Sequence, residues 1–246
     1  MAELAIIGGT GLTTLRNLEI DHREVVHTPY GEPSGPLTFG KIRGKEIIFL
    51  ARHGYGHTIP PHKINYRANL WALKEAGASR VIAVGAVGGI HPDMSPGQLV
   101  FPDQIIDYTW SRYNTFHEED LDHVVHIDFT RPYCEELRAL LIKGAQSAGQ
   151  DALETGTYGA TQGPRLETAA EIDRLERDGC DMVGMTGMPE AALARELDLC
   201  YATCAVISNM AAGRGEDKIL MEDLTGNLGV GMNRVRTLLE EIIPGL

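Results

Sequence analysis

An α/β domain with a central sheet flanked by helices is the fold class that the sequence predicts. Apolar runs of strand length recur along the chain, helical patterns separate them, and turn residues sit at the joints. Strands that alternate with helices argue for a largely parallel sheet. The 246 residues carry no linker, repeat or low-complexity tract, so a single domain is expected over 1–246.

The expected strands cover 4–7, 46–51, 80–87, 98–101, 154–160, 181–184 and 201–207, each a short run rich in Val, Ile, Leu or Ala. A helix over 65–76 opens on Asn65 and is followed by Gly77, a matched start and stop. Further helices are expected over 135–148, 167–177, 189–196, where proline sits in the first turn, and 221–243, where glycines interrupt a helical apolar spacing. Residues 21–44 read as loop and hairpin.

Composition narrows the function. Apolar residues make up 43% of the chain, enough for a sizeable core, and charged residues 23%. The 22 Lys and Arg against 34 Asp and Glu leave a formal charge of −12, which argues against nucleic acid or an anionic membrane as the partner. No uncharged apolar run approaches the roughly 18–20 residues that span a bilayer. The first residues lack the basic and then apolar pattern of a secretory leader. Cys134, Cys180, Cys200 and Cys204 include no Cys-x-x-Cys pair. Reduced, buried thiols are expected, and with them a cytoplasmic location.

The first strand runs straight into Gly8-Gly9-Thr10-Gly11. Such a turn exposes backbone N–H groups that can cradle an anion. A dinucleotide fingerprint would need a further glycine where Thr14 stands and an amphipathic crossover helix, and residues 12–35 give little sign of one. A free phosphate, a dinucleotide and an empty turn all remain open at this point.

Ligands of α/β sheets bind at the carboxyl ends of strands, so each exit matters. The second long strand exits at Arg52-His53, where a guanidinium fork and an imidazole donor suit an oxyanion, or a surface ion pair. The third exits through Gly85-Ala86, whose small side chains permit close backbone approach or merely make a turn. Thr186 precedes a helix and either aims its hydroxyl at an anion or caps that helix. Should the strands be neighbours, Thr10, Arg52, His53 and Thr186 make one orthophosphate site. No residue pattern suggests a metal. His57 and His62 are read as structural, because Pro60 and Pro61 break any helix that would align them with His53.

IIGGTGL, LARHG, HTIPPHKINYRANLWALKEAG, GPRLET and MTGMPEAALARE, in this order, resemble the trimeric nucleoside phosphorylase family, and its methylthioadenosine phosphorylase branch most. The resemblance runs from Leu4 into the last helix. It implies a mixed central sheet flanked by helices, and a cofactor-free phosphorolysis in which orthophosphate is co-substrate to a purine nucleoside. Thr10, Arg52, His53 and Thr186 would bind phosphate, with the backbone around Ala86 helping, and Gly85 would contact the nucleoside. Met185 would pack on the ribose and Leu166 near the base. The family is typically a homotrimer, and His126 matches the residue that closes a neighbour's sugar site.

Two departures from the adenine-using branch carry chemistry. Asn209 stands where that branch has Asp, with Ala211 in place of a second Asp. Glu167 stands where it has a small hydroxyl residue. A carboxylate accepts from N1–H of a 6-oxopurine and an amide donates to O6 or N7, whereas adenine turns a bare N1 toward the carboxylate. Losing such polar pairing costs about 10⁴–10⁵-fold. Glu167 also suits a plain helix first turn. The family's 6-oxopurine enzymes use a late histidine for the 5′-hydroxyl. Here 218–221 is largely apolar, and Met221, the counterpart, suits a methylthio group. The implied reaction converts S-methyl-5′-thioinosine to hypoxanthine and 5-methylthioribose 1-phosphate. A phosphorylase of inosine and guanosine, one of methylthioadenosine, and a non-catalytic nucleotide-binding module are the alternatives.

Overall fold

The structure is a computed structural model describing residues 2–119, 121–215 and 221–246, with the side chains of 221–225 outside that description. Among the described residues eleven strands join in one sheet. They are β1 (Leu4–Gly8), β2 (Glu19–Glu24), β3 (Leu37–Ile42), β4 (Lys45–Ala51), β5 (Arg80–Gly89), β6 (Leu99–Val100), β7 (Gln104–Asp107), β8 (Ala152–Leu153), β9 (Thr157–Ala160), β10 (Met182–Gly184) and β11 (Cys200–Met210). The helices are α1 (Tyr66–Glu75), α2 (Glu135–Ser147), α3 (Ala169–Arg177), α4 (Gly187–Glu196) and α5 (Met221–Ile242).

The sheet is mixed. β4, β1, β5 and β11 run parallel, whereas the β2–β3–β4 meander, β10 on β5 and β6 on β11 are antiparallel. The expected loop and hairpin at 21–44 therefore contains paired strands. Of the strand expected over 154–160 only β9 forms, and β8, just before that range, pairs with a different neighbour. β7 had no expectation at all.

Side-chain alternation assigns each face of the sheet to a helical layer. Ala5, Ile7, Ile48, Leu50, Val81 and Ala83 join Leu70 and Leu73 of α1 and Ala191 and Ala194 of α4. Leu4, Ile6, Ile47, Phe49, Ile82 and Val84 join Leu137 and Leu141 of α2 and Val235 and Leu239 of α5. Each of the Val, Leu, Ile and Phe side chains among them, fully buried, contributes about 1.5–3 kcal/mol. α5 lies close on the sheet at one of its glycines, Gly231, whereas Gly226 and Gly229 face open space. At Gly231 an added Cβ would collide with the Val206 side chain of β11.

β5 is where the layers open. Its first half, Arg80–Ala83, pairs with β1, and its last residues, Gly88 and Gly89, pair with β10. Between them the partner changes and its direction reverses. A crevice opens at such a switch point.

The expected reduced thiols are overturned at one pair, since Cys134 and Cys200 form a disulfide. Cys134 caps the start of α2, and its N–H donates to the carbonyl of Tyr201 at 2.8 Å, which brings it against the first residue of β11. Cys180 and Cys204 stay free and buried. The thiol argument for a cytoplasmic location is lost with that pair. Among the described residues no helix is long and apolar enough to cross a membrane.

Replacing Gly231 by Leu is expected to cost about 1–3 kcal/mol by overpacking α5 against β11. Urea unfolding measures it, and an unchanged stability would contradict the close approach.

Candidate active site

The crevice at the β5 switch holds a cavity of about 170 Å³. Four strand exits converge on it: Gly9 and Thr10 after β1, Arg52 and His53 after β4, Gly85–Gly88 within β5, and Met185 and Thr186 after β10. Leu166 and Glu167, from the loop before α3, and Ser208, Asn209 and Ala211, at the end of β11, close the far wall. Thr10, Arg52, His53, Gly85, Ala86, Leu166, Glu167, Met185, Thr186, Asn209 and Ala211, all singled out in the sequence, line this one cavity. His126 does not line it and lies exposed in the 121–126 stretch. The side chain of Met221, with the rest of the 218–221 segment, falls outside the described residues.

Arg52 does not present the free fork that the sequence suggested. Its Nε and Nη2 donate to the two carboxylate oxygens of Glu190 at 2.7 and 2.8 Å, and Nη1 donates to the Val84 carbonyl at 2.9 Å. Both side chains are buried, Arg52 at 2% exposure and Glu190 at 0%. Burial opposes the guanidinium charge, but the Glu190 carboxylate outweighs it and raises the Arg52 pKa further. Glu190 also accepts from the Tyr201 hydroxyl at 2.8 Å. Removing one partner of such a buried pair costs about 3–5 kcal/mol. Arg52 thus offers an oxyanion only its remaining Nη hydrogens. Nη1 abuts the β1 turn, and a Cβ on Gly9 would sit 2.8 Å from it.

His53 is also not the donor that was expected. Its Nδ1 lies 2.8 Å from the Ile59 carbonyl, a pure acceptor, so the ring proton resides on Nδ1. Burial, and after it the Arg52 charge, lower its pKa to about 4. At neutral pH Nε2 carries a lone pair and accepts, as from the P–OH of a hydrogen phosphate. His57 is exposed and does not line the cavity, in keeping with its structural reading, but it touches a residue that does. Its Nε2 is 3.0 Å from Thr10 Oγ1, and its ring centroid lies 5.0 Å from that of His53. The His-x-x-x-His spacing was the available signal.

Thr186 precedes α4 but makes no side-chain capping bond, so the cap reading fails and its hydroxyl remains available to the cavity. The helix first-turn reading of Glu167 fails too. α3 begins at Ala169, where Thr168 and Glu171 form a reciprocal capping box, with the Glu171 N–H on Thr168 Oγ1 at 3.1 Å and the Thr168 N–H on the Glu171 carboxylate at 2.8 Å. Glu167 is left outside the helix, on the cavity wall, accepting from Thr161 Oγ1 at 2.6 Å.

Arg112, which the sequence gave no role, ties the two sides of the site together. Its guanidinium donates to the carbonyls of Thr161, Gln162, Met185 and Met188 at 2.6–3.2 Å. The turn that carries Thr186 and the loop that leads to Glu167 are thereby held on one side chain. Glu190 had a signal that went unread, a carboxylate among apolar helix positions, which must be paired when buried.

Hydrogen-bond donors at the strand exits face a carboxylate and an amide across one cavity, a class of α/β site suited to an oxyanion and a polar heterocycle together. The chain belongs to the phosphorylase superfamily, whose family model matches residues 3–244. A protein of Pseudomonas syringae pv. tomato named probable S-methyl-5′-thioinosine phosphorylase is 53% identical, over 99% of both chains. The 6-oxopurine nucleoside phosphorylase of Pyrococcus furiosus is 51% identical, over 89% of this chain and 83% of its own. Among solved structures, the methylthioadenosine phosphorylase of Schistosoma mansoni in complex with adenine superposes with a TM-score of 0.94. It is 31% identical and matched over 99% of this chain and 91% of its own.

The His53 environment sets a pH dependence. In the unfolded chain its imidazole titrates near 6.5, and in the fold at about 4. Below pH 6.5 the unfolded state binds a proton that the native state refuses. Stability is therefore expected to fall between about pH 6.5 and about pH 4, and this contribution is level above. His53→Asn should flatten that fall in denaturant titrations across the range, and an identical slope in the variant would reject the buried neutral imidazole.

Proposed function

We propose that the protein is a phosphorylase of S-methyl-5′-thioinosine, releasing hypoxanthine and 5-methylthioribose 1-phosphate in purine and methylthio salvage. The observation that carries this reading is that Glu167 and Asn209 reach the same cavity as Thr10, Arg52, His53 and Thr186. The relatives' names support it, as does the lack of a late histidine in the chain.

Orthophosphate occupies the end formed by the β1 turn, the Arg52 Nη hydrogens, His53 and Thr186, with the backbone at Gly85 and Ala86 alongside. The purine lies between Leu166 and the wall of Glu167, Asn209 and Ala211, and the ribose lies on Met185. A phosphate oxygen bonds to C1′ as the C1′–N9 bond breaks, and the electron pair leaves with the purine. The proton that hydrogen phosphate brings ends on the base, so no other reactant is needed. The negative charge on phosphate supports the oxocarbenium-like sugar from one face. Asn209 donates at N7 or O6, where the leaving charge gathers, a preorganised stabiliser of that charge. Glu167 accepts from N1–H.

Orthophosphate serves as co-substrate, with no resident cofactor or metal. A methionine at position 221 suits the methylthio group by its chemistry. The protein works as a homotrimer in the cytoplasm, with His126 of a neighbouring copy closing the sugar site. Exposed Trp110, Tyr113 and Val124, at 66%, 68% and 70%, support burial of that region against another copy.

Inosine and guanosine are the second reading, favoured by the Pyrococcus furiosus relative. A panel of methylthioinosine, methylthioadenosine, inosine and guanosine with phosphate separates them. Methylthioinosine is expected to exceed methylthioadenosine in kcat/KM by about 10⁴-fold, and inosine by roughly tenfold or more. A faster reaction with inosine would move the assignment to the second reading. Equal rates on the two methylthio nucleosides would remove the base assignment.

A further inference from the structure

The end of β11 contains a bulge. Ile207 pairs with Val87 and Asn209 with Gly88, so Ser208 is one extra residue against β5. Strand alternation would send consecutive side chains to opposite faces. The bulge instead brings Ser208 and Asn209 together onto the cavity wall, a common use of bulges beside active sites.

The contacts around Asn209 fix its amide. Nδ2 donates to the Met210 carbonyl at 2.8 Å. That carbonyl can only accept, so the group facing it must be the NH₂ and the amide cannot be flipped. Oδ1 then faces Ser208 Oγ at 2.7 Å, a contact that needs the hydroxyl proton between the two oxygens. The same hydroxyl lies 3.1 Å from the Val87 carbonyl, a longer second acceptor for its one proton. Ser208 is 6% exposed, so water does not readily replace it. The second Nδ2 hydrogen has no partner among the described residues, which leaves Asn209 one free donor for a ligand.

We infer that Ser208 is a specificity-determining positioning residue, locking the Asn209 amide between its own hydroxyl and the Met210 carbonyl so that a donor meets the purine. The inference rests on the base site proposed above. A 6-oxopurine shows two acceptors on this edge, N7 and O6, and both match a fixed donor. Adenine shows N7 and an N6 amino group, which calls for an acceptor beside the donor. An amide released on its Oδ1 side can rotate and offer that acceptor, so the lock disfavours adenine through Asn209.

Calorimetric titration of hypoxanthine and adenine into wild type, Ser208→Ala and Ser208→Thr tests this, with thermal melts to establish folding. The hypoxanthine-over-adenine affinity ratio is expected to fall about tenfold in Ser208→Ala, the worth of one hydrogen bond, and to return in Ser208→Thr, which keeps the hydroxyl. A merely structural role would weaken both bases equally in Ser208→Ala, and either that result or an unchanged ratio overturns the inference alone. Should wild type itself show no preference for hypoxanthine, the base assignment fails and the lock fails with it. If Ser208→Ala does not fold, a ratio in Ser208→Thr far from wild type still overturns the inference.

Discussion

Everything at this site depends on β5 exchanging neighbours along one edge. Ala83 ends its pairing with β1, and Gly88 begins the antiparallel pairing with β10. In between, the β1 turn and the β10 exit diverge, and Gly85 and Ala86 leave the gap unfilled. The helical layers pack against both faces of β5 on either side of the gap.

Charge in that crevice is compensated. The Arg52 cation is matched by a fully buried Glu190, and His53 is neutral with its Nδ1–H donated to the Ile59 carbonyl. An oxyanion placed there is gripped by directed donors and one imidazole acceptor, with little net positive charge to neutralise it. On the proposed reaction the phosphate keeps its negative charge for the developing sugar cation. At the opposite end, the bulge at Ser208 gives the base a directional partner in Asn209.

Much of this was legible in the sequence, for physical reasons that can be named. Buried strands announce themselves by apolar runs and helices by caps, which is why β1, β4, β5, β10 and β11 and the five helices fell close to their expected places. Residues at strand exits, such as Thr10, Arg52 and Thr186, follow from the rule that ligands meet parallel strands at their carboxyl ends. Edge strands such as β2, exposed along its whole length, and the short β7 lack a periodic signature. Long-range pairing was also invisible. Glu190 taking up the Arg52 fork, the Ile59 carbonyl setting the His53 tautomer, the Cys134–Cys200 bridge and the four carbonyls on Arg112 all join residues far apart in sequence or set by loop geometry. The helix boundary at Thr168 lies between these cases. Thr168 and Glu171 spell a capping box three residues apart, and that spacing frees Glu167 for the cavity.

In the proposed reaction orthophosphate at the β5 switch is a reactant and not a structural anion. Phosphorus-31 NMR of the protein with S-methyl-5′-thioinosine and orthophosphate examines this most directly. A sugar 1-phosphate signal should appear in step with hypoxanthine, and neither product should form without phosphate. Release of hypoxanthine with free 5-methylthioribose, at a rate indifferent to phosphate, would make the enzyme a hydrolase and contradict the account.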